Sequence, residues 1–297
     1  MHPEILEIIE QRYPYEDTQS LAKELNISIH QLRRIVSKNK IKKSNLFQKE
    51  MIKKLHENKT NKYESSLQLL KPNRIQDNII IGSLLGDGSL ACYGRSKESH
   101  YREHGCKFQS NYRAWKVEML VSLGFKFFAN YKNPTIKSPS NPLFSSYHNL
   151  FYSENQKQIT QEILNRFNHP LGLLCLYLDD GTLVIDRYVR KNYIHLFPRI
   201  TLYTQSFTEE ENKLLLKHLK TVFDVQFIMK QRKDGKGFVL QCNYRDEIIK
   251  FLKIIEYSHP FLDCMKYKMN LEYAINQKKI QYNLKYPNHE IIVDRFE

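Results

Sequence analysis

Apolar positions recur along this chain with two different periods, and the changes between them outline its elements. Near the N-terminus, Asp17 or Thr18 stands where it can cap a helix from Gln19 to Leu25, with Leu21, Ala22 and Leu25 on one face. Asn26-Ile27-Ser28 follows as a short turn, and Ser28 can cap a second helix from Ile29 to about Lys38 that faces Leu32, Ile35 and Val36 inward. Ala22 is small enough for the crossing point of the pair, and Asn26 tolerates a left-handed backbone. The pattern predicts a helix-turn-helix unit over 1–43. Residues 44–72 are polar and charged, a linker with a helical stretch around Gln48 to Glu57 that Pro72 closes.

From Ile75 onward one theme occurs twice. An apolar helix ends at Asp87-Gly88 in IIIGSLLGDGSL. Strand-like segments follow around Ser89 to Tyr93 and Cys106 to Ser110, then a helix over Tyr112 to Leu123 with Trp115, Met119 and Leu120 on one face. The second round opens with an apolar helix ending at Asp180-Gly181 in LGLLCLYLDDGTL. Strands near Leu183 to Ile185 and Pro198 to Thr204 come next, then a helix from Thr208 to Phe223 behind the capping signature Ser206 to Glu211. A hairpin, VQFIMKQRKDGKGFVLQC, turns at Asp234-Gly235. The repeat predicts an internal duplication, with a first half over 73–168 and a second over 169–297.

Charge narrows the class of partner. Lys and Arg outnumber Asp and Glu by 46 to 32 in 297 residues, a formal +14, which favours a polyanion whose phosphates the side chains neutralise. An anionic membrane surface is disfavoured by the lack of a lipidation motif or a basic amphipathic helix with a bulky apolar face. The cysteines, Cys92, Cys106, Cys175, Cys242 and Cys264, are odd in number and form no CxxC pair, which argues for a reducing compartment. The N-terminus has no signal-peptide core, and the longest apolar run, Leu171 to Leu178, is far short of a membrane span. The expectation is a soluble intracellular protein of cytoplasm or nucleoid, or of an organelle matrix if organelle-encoded, with no membrane partner.

The paired aspartates carry the candidate chemistry. Gly88 and Gly181 suit the left-handed position after a helix C-terminus. Small residues upstream, Gly82, Ser83 and Gly86 in the first copy and Cys175 in the second, allow the two helices to pack closely. Asp87 and Asp180 then meet, each facing the negative end of its own helix dipole and the other acid. A divalent cation resolves both conflicts, and oxygen-only ligands favour Mg²⁺, with Mn²⁺ as a substitute. The backbone carbonyls of Gly86 and Asp179 can add ligands. Acids that clamp metal beside a phosphate activate water and stabilise a leaving oxyanion. Two capped core helices with solvent-facing acids are the plain alternative, and the paired occurrence weighs against it.

IIGSLLGDG (80–88) and LLCLYLDDG (173–181) resemble the two signature helices of a single-chain LAGLIDADG homing endonuclease. FQSNYRAWKVEML (108–120), LFYSENQKQIT (150–160), YTQSFTEEENKLL (203–215) and FLDCMKYKM (261–269) resemble segments expected in order around them, so the likeness spans roughly 75 to 270. It implies an α+β fold of two αββαββα-like halves related by pseudo-twofold symmetry, whose saddle-shaped antiparallel sheets straddle the DNA major groove. It also implies a monomer that makes Mg²⁺-dependent double-strand breaks with short 3′ overhangs. Asp87 and Asp180 fall on the motif's metal-binding acid, and Lys157 and Lys268 match its active-site lysines. Ser83 stands where an apolar residue is common and Cys175 where Gly or Ala is usual; both are small enough to pack.

Candidate DNA contacts follow from charge and placement. They are Gln31, Arg33, Arg34, Lys38, Lys42 and Lys43 on the N-terminal unit, and Arg95, Lys107 and Gln109 in the first half. In the second half they are Arg187, Arg190, Lys191, Arg199, Lys230 and Arg232. Arg and Lys pair with guanine and Gln with adenine in the major groove. Cys92, His100, His104 and Cys106 match the spacing of no common zinc finger. The alternatives are an intron RNA maturase and a catalytically inactive transcription regulator on the same scaffold. No splicing-domain sequence flanks the nuclease-like region, which favours a free-standing or intron-encoded gene over an intein.

Overall fold

Polar helix signals act first. In the computed structural model, which describes residues 3–65, 69–94, 96–129, 133–256 and 263–293, the chain divides into two units, Met1–Gln68 and Leu69–Glu297. In the first unit α1 (Pro3–Arg12) precedes α2 (Thr18–Glu24) and α3 (Ile29–Lys38). Asp17 caps α2 by accepting from Gln19 N and Ser20 N, and Ser28 and Gln31 cap α3 reciprocally. Asn26 between them takes φ 52°, the left-handed conformation expected of it. Ile9, Leu21, Ala22, Leu32 and Val36 make one small core. α4 (Asn45–Ser65) is helical well beyond the stretch expected inside the linker. Its sequence is polar but holds neither Gly nor Pro, so nothing in it opposes a helix.

The second unit is built on α5 (Arg74–Leu85), which Asn73 and Gln76 cap reciprocally. The chain continues through β1 (Ser89–Ala91), β2 (His100–His104), α6 (Ser110–Met119), β3 (Lys126–Phe128), β4 (Thr135–Lys137) and α7 (Pro142–Phe151). A small hairpin, β5 (Tyr152–Ser153) and β6 (Gln156–Lys157), and α8 (Gln161–Arg166) finish the first half. The second half repeats the order with α9 (Pro170–Asp180), β7 (Gly181–Arg190), β8 (Tyr193–Leu202), α10 (Glu209–Phe223), β9 (Ile228–Gln231), β10 (Phe238–Cys242) and α11 (Arg245–Glu256). Both halves therefore read αββαββα. Their antiparallel sheets share one order, β1-β2-β4-β3 and β7-β8-β10-β9. The chain then adds α12 (Lys266–Met269), α13 (Leu271–Lys285) and β11 (Glu290–Val293), a strand parallel to the start of β8. Ile275 and Tyr282 of α13 pack on Ile185, Ile194 and Leu196 behind the β7–β8 hairpin.

α5 from Ile79 to Leu85 and α9 from Leu171 to Leu178 are buried all round and lie at the centre of the main core, which is why these stretches lack an amphipathic rhythm. They meet backbone to backbone. A Cβ on Gly82 would overlap the carbonyl of Gly172, and one on Gly172 would stand 2.8 Å from Asn78 O. The close approach in the second copy thus falls on Gly172 and not on Cys175, which is simply buried. Asn78 also fastens the link between halves, because its Oδ1 accepts from Asn168 N at 2.8 Å and His169 N at 2.9 Å.

The segment Cys106–Ser110 is not a strand. β2 ends at His104, and Lys107–Gln109 form a 3₁₀ turn into α6. The guanidinium of Arg113 lies directly over Gly105, where any Cβ would collide with it, so the strand stops there. Among the described residues, no helix is long and apolar enough to cross a membrane.

Candidate active site

The two central helices end side by side, and a Cβ on Gly86 would come within 2.6 Å of Asp179 Cβ. Asp87 follows Gly86, the C-cap of α5, and Asp180 is the last residue of α9. Gly88 and Gly181 do not adopt the left-handed conformation expected of them; Gly181 is extended at φ −106°. Space explains both glycines instead. The Tyr101 hydroxyl would sit 2.5 Å from a Cβ on Gly88, and the Tyr177 ring covers Gly181.

A buried ionic cluster holds the first acid. Asp87, Glu103 and Asp179 bring one carboxylate oxygen each within 4.8 Å of one another. Two cations from α6 fill the space among them. Lys116 Nζ donates to Glu103 Oε2 at 3.0 Å and to both oxygens of Asp179 at 2.9 and 2.8 Å. Arg113 Nη2 donates to Asp87 Oδ2 at 3.0 Å and to His104 O at 3.0 Å, and Nη1 to Gln109 Oε1. Tyr101 and Tyr112 donate hydroxyls to Glu103 and Asp179. Burial works against the Lys116 ammonium, but Asp179 and Glu103 overcome it and raise its pKa. Burial pushes Asp179 up and Lys116 opposes it. With an ammonium among its oxygens, the Asp179 carboxylate is a strut between the halves and not an open metal ligand. α10, the counterpart of α6, turns Asn212 onto its own loop carbonyls at Thr204, Phe207 and Thr208. The cluster is therefore one-sided.

Asp180 has a different environment. Burial pushes its carboxyl up to about 6, Asp87 adds to the shift, and Lys157 and Lys268 pull it back. Asp87 keeps its side chain 36% exposed while one oxygen rests on Arg113. Asp87 lies near enough to raise the pKa of Asp180, and two such carboxylates are a donor set that fits a hard divalent cation.

Each helix end has its lysine. Glu154 and Asn155 both take positive φ, which makes the tight β5–β6 turn that delivers Lys157. Its Nζ donates to Gly86 O at 3.0 Å and Gly88 O at 2.6 Å. Lys268, nearly buried on α12, donates to Leu178 O at 2.7 Å, and its own carbonyl accepts from Tyr177 at 2.6 Å. Both ammonium groups satisfy carbonyls that a helix C-terminus leaves free. Burial lowers the pKa of each, while Asp87, Asp179 and Asp180 act in the other direction.

The basic residues separate by location. In the N-terminal unit Arg33, Arg34, Lys38 and Lys42 are exposed, whereas Gln31 serves the cap of α3. Lys43 turns inward, over the Tyr13 ring and onto the carbonyls of Tyr13 and Glu16, so it is unavailable to phosphate. Lys107 and Gln109 lie on the 3₁₀ turn and off the sheet. Arg95 lies outside the described residues. Arg187 falls on the helix-facing side of β7, over Tyr282 and Tyr286, because strand alternation puts it with Leu183 and Ile185. Arg190 and Lys191 are exposed at the hairpin tip, Lys230 is exposed on β9, and Arg199 and Arg232 pair with Asp186 and Asp234. On the open face of the first sheet, register aligns Arg102, Lys137 and Lys126 in one row. His100 and His104 sit four residues apart on β2, about 13 Å, too far to share a zinc ion.

Sequence reasoning missed Glu103, Arg113 and Lys116. Two faint signals bear on the first and last of them, too weak to separate them from ordinary surface charges. Glu103 shares the inward side of β2 with Tyr101, and Lys116 follows Trp115 on a helix that must pack.

Comparison with known proteins bears on this centre. Residues 77–248 match the LAGLIDADG DNA endonuclease family. The chain is 25% identical over 221 residues to the DNA endonuclease I-ChuI of Chlamydomonas applanata, covering 66% of this chain and 94% of that one. It is 30% identical over 122 residues to protein RecA of Mycolicibacterium flavescens, covering 39% of this chain and 28% of that one; it thus spans about a quarter of that relative's length. The homing endonuclease I-WcaI, solved bound to its DNA recognition sequence, shares the fold with a TM-score of 0.55 and 17% identity, over 71% of this chain and 91% of that one.

Two stability experiments probe these charges. Lys116→Met leaves Glu103 and Asp179 buried without their cation and costs about 3–5 kcal/mol in urea unfolding; an unchanged midpoint would mean that the cluster is not ion-paired. In EDTA at about pH 7, Asp180→Asn gains about 2 kcal/mol, because the raised carboxyl binds its proton more tightly folded than unfolded and stability falls as pH rises through about 6. The gain shrinks toward about pH 4, where the wild-type group is protonated in the fold; a gain independent of pH would trace it to something other than ionisation.

Proposed function

We propose, for a chain that belongs to the LAGLIDADG DNA endonuclease family, that it cuts both strands of a long duplex DNA site by metal-dependent phosphodiester hydrolysis. One observation carries this reading: Asp87 and Asp180 close the two paired central helices, each with a lysine on its own helix-end carbonyls. One chain supplies both acids, so the active species is a monomer.

A divalent cation at Asp87 and Asp180, Mg²⁺ with Mn²⁺ as a substitute, supplies Lewis-acid activation of water and stabilises the leaving oxygen. The Gly86 carbonyl, if it is a ligand, shares its oxygen with Lys157, and Asp179 has only its main-chain carbonyl to offer. Lys157 and Lys268 are positioned to steady the phosphoryl oxygens or to relay a proton, and their lowered pKa brings that transfer closer to neutral pH. The open sheet faces, with Arg102, Lys126 and Lys137 in one half and Arg190, Lys191, Arg199, Lys230 and Arg232 in the other, form the duplex-binding surface. Lys107 extends it from its turn, and Arg33, Arg34, Lys38 and Lys42 add a second contact through the N-terminal helices. A regulator on an inactive scaffold has no use for acids and lysines gathered at one point, which favours the nuclease.

The test is cleavage of DNA carrying the insertion site of the chain's own gene. With Mg²⁺ the wild type nicks and then linearises it, and EDTA stops the reaction. Asp87→Asn and Asp180→Asn each abolish cutting while binding in a gel shift is largely retained; a wild type that binds this site and never cuts it sinks the proposal. Deletion of residues 1–43 weakens binding without abolishing cutting, and unchanged affinity would rule out a DNA role for that unit.

A further inference from the structure

The acids that end α5 and α9 are joined by more than the helices themselves. From Asp87 a continuous line of charge runs through the first half and into the second. Arg113 Nη2 stands 3.0 Å from Asp87 Oδ2, and Arg113 Nε stands 3.4 Å from Glu103 Oε1. Lys116 Nζ donates to the other oxygen of Glu103 at 3.0 Å and to both oxygens of Asp179, the residue bonded to Asp180. The side chains of Arg113 and Lys116 are 1% exposed and those of Glu103 and Asp179 0%, so water does not loosen these pairs.

Other groups do not make this connection. Lys157 and Lys268 each bind carbonyls of their own half's helix end and leave the two ends unlinked. Gly82, Gly172 and Asn78 pin the halves together upstream of the acids. At the acids, Gly86 gives Asp179 no side chain to pack on. Among the described residues, the tie between the helix ends comes from α6: Lys116, Arg113 and the Tyr112 hydroxyl, which donates to Asp179 Oδ1 at 2.9 Å. α10 offers no equivalent, because Asn212 is spent on its own loop.

We propose that Lys116 and Glu103 are positioning residues for the metal site, setting the separation of Asp87 and Asp180 from behind. Neither is free to be a ligand: Glu103 Oε2 accepts from Tyr101 and Lys116, and Lys116 spends its protons on three carboxylate oxygens. Groups that orient metal ligands from the second layer change affinity by roughly 10–100-fold. Charge alone acts in the opposite sense, since removing the Lys116 ammonium takes a like charge from near the cation and tightens its binding. Positioning and simple electrostatics therefore predict opposite signs. The proposal rests on the metal site at Asp87 and Asp180 given above.

Mn²⁺ is titrated into the full-length protein at about pH 8, above the titration of Asp180, and free ion is read by electron paramagnetic resonance. The wild type binds the ion, and Asp87→Asn or Asp180→Asn removes that binding. Lys116→Met and the charge-balanced Glu103→Gln/Lys116→Met each weaken it roughly tenfold or more. Lys116→Arg, which keeps a cation able to span both carboxylates, stays within about threefold of wild type. Each variant is measured below the onset of its own thermal unfolding, followed by circular dichroism, and either folded Met variant decides. Unchanged or tighter Mn²⁺ binding overturns the proposal, as does a Lys116→Arg variant no better than Lys116→Met. A wild type without Mn²⁺ at the two aspartates overturns it together with the metal site. A wild type that binds Mn²⁺ and never cuts its DNA sinks the nuclease reading alone, with the positioning result intact.

Discussion

Everything in the larger unit depends on two apolar helices meeting without side chains between them. Gly82 and Gly172 remove the Cβ atoms that would keep α5 and α9 apart. That contact forces the helix C-termini together, where carbonyl dipoles and Asp87, Asp179 and Asp180 accumulate negative charge. The fold answers with four cations from three separate elements: Arg113 and Lys116 from α6, Lys157 from the β5–β6 hairpin and Lys268 from α12. The surroundings of the core are thus arranged to compensate a charge conflict that helix packing creates. The conflict is left partly unresolved at Asp180, whose carboxyl burial and Asp87 together push up to about 6.

Much of this was legible beforehand, for reasons visible in particular residues. A run such as IIIGSLLGDG has no polar face, so it had to be a central helix, and its recurrence as LGLLCLYLDDG implied two. Capping residues located α2, α3 and α10 closely, because an Asp, Ser or Thr followed by a matching acceptor is a local signal. The interior of the cluster was not legible. Glu103, Arg113 and Lys116 look like ordinary surface charges in sequence, and only the tertiary fold buries them against one another. The strand imagined at Cys106–Ser110 failed for a related reason, since Gly105 ends β2 to make room for a side chain eight residues later. Gly88 and Gly181 were found for the wrong reason; the rings of Tyr101 and Tyr177 require them, and no local rule predicts a ring arriving from elsewhere.

The two sheets share an order of strands but not a surface. Short β1 and β2 leave the first with a compact face of cations, whereas β7 and β8 run ten residues each and need α13 and β11 behind and beside them. A hairpin of that length standing alone would fray, so the C-terminal segment is a brace as much as an appendage. The repeat therefore keeps the strand order and the two helix-end acids, and differs both in the cations around them and in the length of its hairpins.

The salt bridge from Lys116 to Asp179 has a bearing on how such a molecule can change over time. Lys116 belongs to the first half and Asp179 to the second, while the first half offers Gly86 at the position matching Asp179. Two copies of the first half would place Lys116 against a bare glycine, and two copies of the second would bury paired aspartates with Asn212 in place of a cation. Neither half can now be exchanged for a duplicate of the other. The strut thus ties each half to a partner unlike itself.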